Sequence, residues 1–181
     1  GAAIVSVMLG VALALSVHLI NASALDEFAQ AVRSVGGQPD LELRAGSGVA
    51  GGVDHALLGR MLHHPDVAVA SPVLELSTYA LAPNRVLLRI VGVDSLQVAL
   101  LNPDLLPAPS AQAGRLDIFA PATVFLNATA QSRLGGDTLQ LQRGLQPMPV
   151  RVAGTVRASG APLAVMDIAA AQDLFDQQGR I

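Results

Sequence analysis

Residues 2–20 carry no formal charge, and their only non-apolar side chains are Ser6, Ser16 and His18. A run of this length matches the roughly 20 apolar residues that a helix needs to cross a hydrocarbon core. Gly10 and the serines fit such a span, because small residues let membrane helices pack closely. A buried core helix would be shorter and amphipathic. A signal peptide is the other rival, since Ala22-Ser23-Ala24 has the small residues of a cleavage site. The run is long for that role, and no basic residue precedes it. The chain begins at Gly1 rather than Met, so it is expected to be a piece that has lost its N-terminal flank.

The helix is expected to continue past the membrane. Leu25, Phe28, Ala29, Val32 and Val35 follow the spacing of one helical face, and Gly36-Gly37 is a natural stop. At 1.5 Å per residue, residues 2–35 would span about 50 Å. About 20 Å of that would stand beyond a hydrocarbon core of about 30 Å. Residues 1–37 therefore read as a membrane helix and stalk, and residues 38–181 as a domain outside the cytoplasm.

Composition excludes several classes. The chain is 51% apolar but only 3% aromatic, so its core must be built from Val, Leu, Ile and Ala. It has no cysteine, which removes disulfides, thiolate nucleophiles and Cys-based metal sites. All 11 basic residues are Arg. Without Lys there is no Walker A loop and no Schiff base. The net charge of −3 with no basic patch argues against nucleic acid as a partner.

Beyond the stalk, Leu41-Glu42-Leu43-Arg44-Ala45 alternates as a strand, and residues 46–52 form a glycine-rich loop. Asp54 is placed to cap a helix carrying Leu57, Leu58, Met61 and Leu62, ending before Pro65. A bent strand is predicted over 67–81, interrupted near Pro72, then a turn at Ala82-Pro83-Asn84 and a returning strand over 85–93. Pro103, Pro107 and Pro109 mark a surface crossing. Residues 123–126 form a short strand, Asn127 caps a short helix, and Gly135-Gly136 ends it. Strands follow at 138–142, 150–156 and 162–166. Asp167 then caps a helix with Ile168, Ala171, Leu174 and Phe175 inward, stopped by Gly179. This order predicts an α+β fold with a mostly antiparallel or mixed sheet and no internal repeat.

The candidate chemistry is sparse. Gly46-Ser47-Gly48-Val49-Ala50-Gly51 matches G-x-G-x-x-G, and Glu75 follows near the interval of a ribose-binding acid. The helix begins only near Asp54, however, and its carboxylate would occupy the positive end that a pyrophosphate needs. A glycine-rich surface loop is the simpler reading. His63-His64 with Asp66 would make a metal site only if two adjacent helical side chains pointed the same way, which they do not. His55 stands alone, and His18 lies in the apolar run. Asp26-Glu27, Asp104 and Asp117 are carboxylates that only the fold could bring together. Asn21-Ala22-Ser23 and Asn127-Ala128-Thr129 fit the glycosylation sequon but read as helix-associated residues. No residue is assigned to catalysis, to a cofactor or to a metal, and no substrate-binding position is marked.

Five short segments together carry a resemblance. They are Ser6-Val7-Met8-Leu9-Gly10-Val11-Ala12, Ile90-Val91-Gly92-Val93-Asp94, Leu134-Gly135-Gly136-Asp137-Thr138-Leu139, the strand over 150–156 with Gly154 as its glycine, and residues 164–175. In this order they resemble the first membrane helix and periplasmic core domain of the MacB/FtsX-like ABC transporter permeases, the group that includes MacB, LolC, LolE and YbbP. The resemblance implies an α+β domain with a mixed α/β lobe and a smaller β-rich inserted lobe over about 114–156. It implies a bacterial inner-membrane protein whose residues after about 21 are periplasmic. Its partners would be an ABC ATP-binding subunit, a second permease copy, membrane lipid and a periplasmic protein. The domain would be non-enzymatic and without cofactor. It would couple ATP-driven movement of the membrane helices to export or extraction of a hydrophobic or lipid-like cargo. The alternatives are a membrane-anchored dinucleotide-binding enzyme using Gly46, Gly48 and Gly51, and a periplasmic sensor with one anchor.

Overall fold

Two of the strands carry hydrophobic side chains on both faces, and they lie at the middle of the sheet. In the computed structural model, which describes residues 41–44, 52–81 and 84–181, β4 (Thr123–Leu126) and β7 (Leu163–Asp167) are buried almost throughout. The other strands are β1 (Val73–Ala80), β2 (Val86–Val93), β3 (Ala108–Pro109), β5 (Thr138–Arg143) and β6 (Gln146–Thr155). They hydrogen-bond in the order β3-β6-β4-β7-β2-β1-β5. β2–β7 and β4–β6 are parallel, and the remaining pairs are antiparallel. β5 also pairs with β6, so β6, β4, β7, β2, β1 and β5 close on one another, with β1 and β5 joined by the single register pair Ala80↔Leu141. The expected mixed sheet is present.

Each face of the sheet has its own cover. On one face, Leu74, Leu88, Ile90, Val124, Leu126 and Met166 pack with α3 (Ala128–Leu134) and α4 (Ile168–Leu174). Gly92 lets α4 approach β2: a Cβ there would be 2.9 Å from that of Ala171. On the other face, Val91, Val93, Phe125, Leu163 and Val165 meet Val98, Leu105 and Ile118 of the crossing segment. That cover does not extend over β1, whose residues Val73, Glu75, Ser77 and Tyr79 are exposed, and this gives β1 its clean alternation.

Several boundaries differ from expectation for physical reasons. Residues 41–44 belong to no strand, and Leu41 is 92% exposed: the alternation is there, but no strand pairs with it. The proline-marked crossing is folded, with a helical turn α2 (Val98–Leu101), 3-10 turns at Pro103–Leu105 and Arg115–Phe119, and β3. Val98 and Pro107 within it are buried. β6 begins at Gln146, earlier than expected, in spite of Pro147 and Pro149. The amide of Arg151 faces β4, donating to the Ala122 carbonyl. By the period of two, the nitrogens of Pro147 and Pro149 face that same edge, where β4 has not yet begun to pair, so no ladder bond is lost. β1 starts only at Val73, after Pro72.

Residues 39–181 form a compact unit of their own. The stretch expected as an inserted lobe supplies β4, α3, β5 and β6, which share the sheet with β1, β2 and β7. Among the described residues no helix is long and apolar enough to cross a membrane. The apolar run over 2–20, the stalk, Asn21, Asp26-Glu27, Gly46, Gly48 and Gly51 lie outside the described residues, as does the turn at Ala82-Pro83.

Candidate functional site

The feature that organises one end of the domain is a short antiparallel pairing between residues 52–55 and 179–181. Val53 N–H donates to the Ile181 carbonyl at 2.6 Å, and Ile181 N–H returns a bond to Val53 at 3.0 Å. His55 N–H donates to Gly179 at 3.1 Å, and Asp54 and Arg180 pair as an isolated bridge. Two glycines make the geometry accessible. Gly52 has φ +78°, and a Cβ on it would be 2.7 Å from the Ile181 carbonyl oxygen. Gly179 has φ +76°. Both are backbone states that other residues adopt only with strain. Immediately after this pairing, the Asp54 carboxylate accepts from Ala56 N–H and opens helix α1 (His55–Leu62). No residue of α1 is buried: Leu57, Leu58 and Met61 are half-buried and Leu62 is exposed.

A second tie ends α4 nearby in sequence. Arg143, the last residue of β5, donates to the Leu174 carbonyl at 3.1 Å and pairs with Asp176 at 3.4 Å. Asp176 is left-handed at φ +53°, so the chain turns out of the helix there. The guanidinium thus satisfies a terminal helix carbonyl and complements the negative end of the helix. Gln172 then holds the Arg180 carbonyl through its amide at 2.6 Å. Through these contacts the β5–β6 hairpin, α4 and the 52–55/179–181 pairing form one chain of hydrogen bonds.

The residues with candidate chemistry are not gathered. His63 Nδ1 donates to the Gly59 carbonyl at 2.6 Å, while His64 Nδ1 lies 3.8 Å from Asp66, so the two rings serve different partners on an exposed helix end. Among the described residues no group of three or more His, Asp or Glu is arranged to hold a metal ion. Glu75 projects from the open face of β1. The dinucleotide reading loses its frame: residues 41–44 are not in a strand, and β1, which follows α1, pairs only antiparallel. There is thus no βαβ unit over these described residues.

Asp104 and Asp117 face separate arginines, Arg157 at 3.9 Å and Arg151 at 3.0 Å. The hydrogen bond from Arg151, and after it the Gly114 N–H at 3.0 Å, hold the Asp117 carboxyl below its ordinary value of 3.8. A carboxylate whose pKa is lowered on folding adds stability at pH above the unfolded value, and that stability is lost as pH falls through the folded one. Asp117→Asn is therefore expected to destabilise the domain at neutral pH. The difference from the parent should shrink once pH drops below about 3.8, as urea midpoints across an acid titration would show. A difference constant down to pH 2 would be inconsistent with this.

Asn127 is fully buried and cannot accept a glycan. Its Oδ1 accepts from Ala130 N–H at 2.9 Å and Leu163 N–H at 3.1 Å, and its Nδ2 donates to the Ala161 carbonyl at 2.9 Å. The side chain therefore caps α3 and fixes the approach to β7. The ties made by Arg143 and by residues 179–181 were missed in the sequence. They are long-range pairings with no periodic signal, and only Gly52 and Gly179 hint at them.

No protein-family model matches the chain, and no curated protein was found to be similar to it. Among solved structures, the chain is similar to the extracellular domain of the noncanonic ABC-type transporter YknZ from Gram-positive bacteria. The TM-score is 0.50 at 14% identity, over 78% of this chain and 74% of that one. The likeness is one of fold.

Proposed function

We propose that residues 39–181 are an extracytoplasmic domain of an ABC transporter permease, non-catalytic itself, working with an ATP-binding subunit. The observation that carries this reading is a fold like that of an extracellular transporter domain. The apolar run over 2–20 would be the permease's first membrane helix, and the stalk over 25–35 would carry its movement into the domain. The cargo in this reading is hydrophobic or lipid-like, a second permease copy and a periplasmic protein complete the assembly, and no side chain of the domain reacts.

Purification of the tagged chain from its native membranes tests this. An ABC ATP-binding protein should come with it in fixed stoichiometry, or be found fused to it, and ATP turnover should fall when the chain is removed. A chain recovered without any ATP-binding partner under conditions that keep other permeases assembled would overturn the reading.

A further inference from the structure

We infer that the 52–55/179–181 pairing is a latch, which opens together with α1 while the sheet remains folded. The inference rests on where the buried side chains are. Both apolar cores are built from residues 74–175, and none of their fully buried members lies in 52–62 or 177–181. α1 has no buried residue, and the segment from His63 to Pro72 that leads it to β1 forms no strand. The latch is held by the three backbone bonds of Val53, His55 and Ile181, by the Gln172 amide on the Arg180 carbonyl at 2.6 Å, and by the glycine geometry at Gly52. Segments with few buried apolar contacts open locally at a free energy well below that of global unfolding. Opening would separate the backbone at Gly52 from that at Ile181 and leave β2, β7 and β4 in place. In the transporter reading, on which this part of the inference rests, a closed latch makes the two paired segments move together, and an open one lets them move apart.

Hydrogen exchange on the full chain, read residue by residue, tests the latch without reference to transport. The amides of Val53, His55 and Ile181 should exchange at least about a hundredfold faster than those of Ile90 and Val165. Gly52→Ala should speed the latch amides about tenfold further and leave Ile90 and Val165 unchanged. The pair Val53→Cys and Ile181→Cys gives the opposite perturbation. Residues that exchange both hydrogen bonds have Cα atoms about 5.5 Å apart, within disulfide range, and no native cysteine competes. Oxidation should slow the His55 amide at least about tenfold, and reduction should restore it. Latch amides as protected as the core, a Gly52→Ala chain that loses core protection as well, or a disulfide without effect on His55 would each overturn the inference. If the exchange results hold and no ATP-binding partner is found, the latch stands and the transporter reading falls.

Discussion

Replacing Asn127 with alanine is expected to cost about 4 kcal/mol of stability, the largest loss expected from any single polar side chain in the domain. The substitution removes three hydrogen bonds at once. It leaves the Leu163 and Ala130 N–H groups and the Ala161 carbonyl without the side chain that satisfies them. The two buried N–H orphans cost about 1–3 kcal/mol each, the Ala130 one being the lost helix cap, while water can reach the carbonyl of the exposed Ala161. Asn127→Asp should not rescue the fold. It restores the two acceptor contacts but removes the donor to Ala161 and buries a charge. Urea denaturation of residues 39–181 would measure this, with circular dichroism reporting the sheet. A loss below about 1 kcal/mol would mean that water replaces these bonds and that Asn127 does not hold α3 to β7.

Gly154→Ala is the second large effect, expected at about 3 kcal/mol through overpacking. A Cβ at Gly154 would be 2.1 Å from the Ala108 carbonyl oxygen and 2.9 Å from both Pro109 Cα and Ser110 N. All three are backbone, so β3 must leave β6. With it goes the bond from Ser110 N–H to the Ala153 carbonyl, and the crossing segment that covers Val91, Phe125 and Val165 loosens. The damage should be local: amides of residues 104–119 lose protection, while β1 and β5 keep theirs. Gly144→Ala is the control. That glycine has φ +57° but open space around it, so its cost should stay near the strain term of about 1 kcal/mol. Equal costs at the two glycines would refute the close-approach account.

These two positions show how differently parts of the molecule were legible. Asn127 was readable as a helix cap, because capping is local and the Gly135-Gly136 stop follows one short helix later. That its side chain also reaches Ala161 and Leu163 was not readable, since those partners are more than thirty positions away in sequence. Gly154 is legible as the glycine of a strand pattern, but the reason for it, the backbone of β3, lies in a proline-marked segment with no strand periodicity. Periodicity marks β1 and α4, each with one face to bury, the apolar runs mark β4 and β7, and the Asn127 cap and Gly135-Gly136 stop mark α3. Periodicity failed over residues 41–44, where the alternating leucines meet no sheet, and at Pro147 and Pro149, where an unpaired edge tolerates proline. The latch was invisible because two glycines and three backbone bonds carry no hydrophobic signature. His63 and His64 take different partners, and Asp104 and Asp117 each take an arginine, pairings that depend on the fold and carry no local sequence signal.

In the proposed function residues 39–181 face away from the cytoplasm, and sided labelling tests this most directly. Leu145, at the turn between β5 and β6, is 98% exposed, and the chain has no cysteine of its own. Leu145→Cys therefore gives a single accessible thiol. In intact cells, with any outer membrane permeabilised, a membrane-impermeant maleimide should label it as fast as it does after lysis. Labelling that occurs only after lysis would place the domain on the cytoplasmic side and contradict the account.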